Sequence, residues 1–202
     1  MASKDITAAN PQGKASLRTL IDIDASTPLL VRERNIPQWV SDYFTSLLVL
    51  SAKFSFKPVL NKEYYLYFHS NDWKLSLIEP QLWKNCPYTY FGKCKMHEDR
   101  VWSLEAKEDW QNSTQLKETI KNIRKDFFDL LNTDIPVVNS LPYYSSTLNY
   151  HQRVAANGLA RSLKQSLQMK LGLEAGMAVS GKCIVKQMKN SSPEMINFLD
   201  RQ

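Results

Sequence analysis

The sequence predicts an α+β fold: a four-stranded antiparallel meander packed against three main helices. Three observations predict it. Apolar residues recur at helical spacing before and after a central block. That block, within residues 55–105, is rich in Tyr, Phe and Trp, alternates with period two and is cut by turn residues. Helical and strand segments are segregated along the chain, the pattern of an α+β domain. A length of 202 residues fits one domain, able to bury roughly 70% of its unfolded surface without metals or disulfides.

Residues 1–15 are polar, contain Asn10-Pro11-Gln12-Gly13 and read as a flexible N-terminal arm. Residues 17–24 are too short a pattern to classify. Asp22 and Asp24 would share one face if this were a strand. A helix is expected over 36–51. Asn35 can cap it, Pro37 sits in its first turn, and Trp39, Val40, Tyr43, Phe44, Leu47 and Leu48 form the apolar stripe. Residues 63–69 and 73–78 read as a hairpin around Ser70-Asn71-Asp72. A second hairpin is expected over about 89–105 around His97–Arg100. Alternation would send Trp73, Leu75, Leu77, Trp102 and Leu104 to the core. Tyr90, Cys94 and Met96 would also point inward.

Leu116, Ile120, Ile123, Phe127, Leu130 and Leu131 mark a helix at about 113–132. Ala155, Leu159, Leu163, Leu167 and Leu171 mark another at about 146–171. The single domain is therefore expected over 16–171. Residues 172–202 read as a basic tail with Gly172, Gly176 and Gly181, in which Ser192-Pro193-Glu194 can start a short final helix.

The chain has 26 Lys and Arg against 20 Asp and Glu. Residues 149–202 hold eight of the basic and three of the acidic groups, so the positive excess belongs to the C-terminal quarter. Such a field attracts nucleic acid, acidic protein or anionic lipid alike. No apolar run approaches the ~18–20 residues that span a bilayer, and the N-terminus lacks a signal-peptide h-region. Cys86, Cys94 and Cys183 are odd in number and lack CxxC spacing. They read as free thiols in a cytoplasmic protein.

Several motifs fail on inspection. Gly176–Lys182 fits the first seven positions of a phosphate-cradling loop. However, a helix precedes it, and Cys183 stands where a hydroxyl must hold Mg²⁺. His69, His97 and His151 lie on three elements without metal-ligand spacing, so no metal or cofactor is expected. No G-x-S-x-G elbow offers a nucleophile, and Cys94 reads as a buried thiol.

Two binding chemistries remain. On one strand Phe91, Lys93 and Lys95 share a face, with Lys74 outward on another and Tyr65, Tyr67 and His69 on one face of a third. Interleaved rings and ammonium groups can stack bases and contact phosphates. Arg153, Arg161 and Lys164 fall on one side of their helix and add a second phosphate contact. Against this, both faces of 63–69 are aromatic, as in a central buried strand. The other chemistry is protein docking: Met195, Ile196, Phe198 and Leu199 form a short apolar set that a helix can lay in a partner's groove.

The strand block Tyr64-Tyr65-Leu66-Tyr67, Ser76-Leu77-Ile78-Glu79-Pro80 with Trp83, and Gly92 through Asp99 to Trp102 resembles an uncharacterised family found in bacteria and eukaryotes. Met96 stands where that family has Leu. The resemblance covers about 40 residues and implies no activity, cofactor or catalytic residue. The overall expectation leans to non-enzymatic binding of a protein partner away from membranes. Nucleic-acid binding is the alternative, and an unrecognised enzyme the third reading.

Overall fold

The computed structural model describes residues 21–143 and 147–191. The fold is α+β. Its elements are α1 (Ile36–Ser51), β1 (Glu63–His69), β2 (Asp72–Ser76), β3 (Thr89–Met96), β4 (Trp102–Ala106), α2 (Thr114–Leu131), α3 (Tyr150–Leu171), α4 (Leu173–Ala178) and α5 (Gly181–Ser191). Residues 21–25 are helical, so Asp22 and Asp24 do not share a strand face.

Local chemistry sets the helix starts. The Asn35 side chain accepts from the Gln38 amide at the head of α1, and Ser113 does the same for Leu116 at α2. A full capping box of Asn149 and Gln152 starts α3; it satisfies donors on both sides of the turn and places the start after the expected 146.

The sheet is antiparallel, in the order β2-β1-β3-β4. This corrects the meander: the two hairpins join through β1 and β3, so β2 is an edge strand. Lys53 extends that edge, its amide donating to the Trp73 carbonyl and its carbonyl accepting from Leu75. At the other edge Ser46 Oγ of α1 accepts from the Trp102 amide.

One sheet face is core. Tyr64, Leu66, Phe68, Trp73, Leu75, Phe91, Cys94, Met96, Trp102 and Leu104 are buried there with Trp39, Val40, Tyr43, Phe44 and Leu48 of α1. Trp39 donates to the Leu163 carbonyl and Tyr43 to the Ser140 carbonyl, so both buried aromatics also satisfy their polar ends. Phe127 of α2 packs edge-on to Tyr43 and Phe44. Gln152 of α3 reaches the end of α1, its amide donating to the carbonyls of Leu50 and Ala52 at 3.0 and 2.7 Å.

The C-terminal part differs from the expected tail. Gly172, at φ +88°, breaks α3 from α4, and α5 buries Ile184, Val185 and Met188 in the core. Gly176 and Gly181 are places of close approach. A Cβ on Gly176 would meet Leu167 and Gln168 backbone, and one on Gly181 would lie 1.8 Å from the Leu131 carbonyl oxygen. The phosphate-loop look-alike is thus a helix-packing device. Residues 195–199, with the docking set Met195, Ile196, Phe198 and Leu199, lie outside the described residues.

Candidate functional site

The sheet's second face is where the sequence placed its candidates, and the register reorganises them. β1 and β3 pair Leu66 with Gly92 but Tyr67 with Tyr90, so Phe91 is an extra residue in β3, a β-bulge. The bulge turns Phe91 into the core, where it is 0% exposed between Trp73 and Trp110. It sends Tyr90 outward instead, against Tyr65 and Tyr67. Phe91 is therefore no stacking platform and Tyr90 no core residue.

The strands thus present Tyr65, Tyr67, Tyr90, Lys74, Lys93 and Lys95 on one face. Residues 77–88 fold back over it. The Tyr67 hydroxyl donates to the Ile78 carbonyl at 2.7 Å, and the Tyr65 hydroxyl donates to Glu79 Oε1 at 2.8 Å. Trp83 packs edge-on to Tyr67, ring centroids 4.9 Å apart. The Lys74 ammonium sits 5.0 Å from the Trp83 ring centre and 5.2 Å from that of Tyr88, a cation–π clasp between β2 and this segment. Burial pushes the phenols of Tyr65 and Tyr67 up to about 12, with the Glu79 carboxylate adding to the effect at both. Both therefore stay neutral hydrogen-bond donors through the physiological range.

Charge on this face is mixed. Lys93 Nζ lies 3.1 Å from Glu63 and 3.3 Å from Glu105, which raise its pKa. With the covering segment, Lys74, Lys84, Lys93 and Lys95 are set against Glu63, Glu79 and Glu105. Along its border Leu77, Ile78 and Leu82 are 48%, 43% and 71% exposed. Leu77 is thus a surface residue, because β2 ends at Ser76. Arg153, Arg161 and Lys164 are half-buried on α3, away from the sheet, and Arg161 donates to Thr27 Oγ1. The structure does not bring them together with the sheet lysines.

Of the histidine and aspartate candidates, Asp22 and His151 line one small pocket with Lys57, Arg100 and Tyr150, while His69 and His97 lie elsewhere. His69 packs on Tyr88, and Asp22 bonds the Tyr150 hydroxyl and Lys57. His97 lies in a polar cleft of about 290 Å³ with Arg34, Asp42, Asp99 and Ser103. Arg34, 4% exposed, donates to Asp42 at 2.5 Å, to Asp99 and to the Arg32 carbonyl. Burial raises the Asp42 carboxyl while Arg34 opposes it. His97 Nε2 and Ser103 Oγ are 2.8 Å apart. Nucleophilic catalysis would also need a group orienting the second ring nitrogen, and no hydrogen bond supplies one among the described residues. The cleft chemistry is that of a buried ion network. Among the described residues no group of three or more His, Cys, Asp or Glu is placed to hold a metal ion, and no helix is long and apolar enough to cross a membrane.

The sequence reading missed the covering segment. Its signal was Trp83 and Tyr88, two large rings in a stretch punctuated by Pro80 and Pro87. Comparison with family models, curated proteins and solved structures finds no match to this chain.

Proposed function

We propose that the protein is a non-enzymatic docking module that binds a protein partner through the outer sheet face and residues 77–88. The observation that carries this reading is the exposed aliphatic border of Leu77, Ile78 and Leu82 beside half-buried aromatic rings. Exposed apolar clusters with aromatic anchors and a polar rim are the anatomy of protein interfaces. Nucleic acid is disfavoured on this face because Lys74, Lys84, Lys93 and Lys95 stand against Glu63, Glu79 and Glu105, and Lys93 is held by two of those carboxylates, leaving only a weak net field for a phosphate backbone. The residues by which the strand block resembles the uncharacterised family include Tyr65, Tyr67, Ile78, Glu79 and Trp83, those that hold the covering segment down. Membership of that family, with a shared docking scaffold, is part of the proposal. So is a cytoplasmic setting, supported by three free thiols of which Cys183 is exposed.

The test is a photo-crosslinking residue at position 82, compared with one at the exposed Leu29, in the full chain in its own cell. A discrete protein adduct at 82, absent at 29 and lost when Leu77 and Ile78 are both changed to Asp, is the expected outcome. Adducts to RNA, or adducts indifferent to those changes, would overturn the reading.

A further inference from the structure

A second surface lies between α2 and α5 and shares no residue with the sheet face. Lys121, Lys125 and Phe128 follow i, i+4, i+7 spacing and so share one face of α2. Val185, Met188 and Lys189 do the same on α5 at i, i+3, i+4. Both faces line one groove of about 400 Å³. Its floor is the half-buried Phe128 with Val185 and Met188. Its rims are the exposed Lys121 and Lys125 on one side and Lys189 on the other. Arg124 is a fourth cation in the lining, and Asp129 is the carboxylate. Among the described residues no ion pair neutralises Lys121, Lys125 or Lys189, whereas Lys182 further along α5 is held by Asp134. The groove lining, with four cations and one carboxylate, is therefore more strongly positive than the sheet face.

We infer that this groove binds an acidic amphipathic helix of a protein partner. The rims call for carboxylates on both flanks of the ligand, and the floor calls for an apolar stripe between them. On the α2 side the lining runs from Lys121 to Asn132, about 16 Å or roughly three helical turns, and α5 closes it from Val185 to Lys189. A single-stranded nucleic acid fits less well. Phe128 is one ring, not a row on which successive bases stack, and Asp129 would face the phosphates.

The experiment is fluorescence anisotropy with the full chain. The probe is a labelled helical peptide of Glu, Leu and Ala, with Leu at three- and four-residue spacing flanked by Glu. The comparison probes are its scrambled sequence and a single-stranded RNA of equal charge. The helical peptide is expected to bind saturably and more tightly than either. The combined variant Lys121→Glu, Lys125→Glu, Lys189→Glu is expected to weaken it by roughly tenfold or more, and Phe128→Ala to weaken it as well. Lys93→Glu on the sheet face should leave it unchanged. Where the charge reversals lower the melting temperature, Lys→Gln at the same three positions replaces them. No saturable binding of the helical peptide, equal binding of the scrambled peptide, indifference to the rim variants, or tighter binding of the RNA would each overturn the inference. Because Lys93→Glu and the position-82 adduct report on the other face, this failure and that of the sheet-face reading are separable.

Discussion

Replacing Gly181 by Ala tests the packing on which the basic groove depends. An added Cβ would lie 1.8 Å from the Leu131 carbonyl oxygen, and 2.9 Å from its carbon. Ordinary contact begins near 3.4 Å, so α5 and the end of α2 must part by roughly 1.5 Å. Both obstacles are backbone, and the start of α5 is tied down. The Lys182 amide donates to the Thr133 carbonyl, that of Gly181 to Ile135, and that of Val137 to Val179. The shift cannot be taken up by a side-chain rotation, which places the change near the top of the overpacking range, about 3 kcal/mol. Alanine's better helix propensity returns up to about 1 kcal/mol. The net loss of about 2 kcal/mol corresponds to a fall in melting temperature of roughly 4–8 °C for a chain of this size. Thermal unfolding followed by circular dichroism measures it directly. A variant that melts at or above the wild-type temperature would refute the close approach, and with it the assignment of this glycine to packing.

Two further outcomes follow from the buried polar groups. Arg34→Met leaves Asp99 buried and Asp42 half-covered without their cation; breaking such a pair costs about 3–5 kcal/mol, read as a lower urea midpoint at unchanged m-value. The phenols of Tyr65 and Tyr67, raised from 10.0 to about 12, bind their protons more tightly folded than unfolded. Their contribution to stability is whole below pH 10 and disappears as pH rises through about 12. Burial also raises the phenols of Tyr43, Tyr64, Tyr90 and Tyr143, so phenolate absorbance should show a late phase to which Tyr65 and Tyr67 belong, and Tyr65→Phe with Tyr67→Phe should shrink that phase by two tyrosines without removing it.

The parts legible in the sequence are those set by short-range patterns. The stripe from Trp39 to Leu48, the cap at Asn35 and the two hairpins depend on residues within a few positions of one another. The strand order was not legible, because the choice between β2 and β1 as the neighbour of β3 is made by tertiary packing. The bulge at Phe91 reversed the assignment of two residues, although an isolated glycine inside a strand, here Gly92, is the known mark of such an irregularity. Helix α5 carried its pattern in Ile184, Val185 and Met188, but the nearby glycines suggested turns. The fold-back of residues 77–88 over the tyrosines joins positions 11 and 14 apart through single hydrogen bonds, which no periodicity encodes.

The bridge from Gln152 to the carbonyls of Leu50 and Ala52 has a consequence in time. A ribosome must add 102 residues after Leu50 before the donor for its carbonyl exists. The hairpins close as they are synthesised, since their partners are neighbours in the chain, but the exit from α1 stays unsealed until the helix bearing Gln152 has left the exit tunnel. The last contact to seal the end of α1 is thus made by a residue synthesised long after it, and a chain ending before Gln152 keeps that seam open.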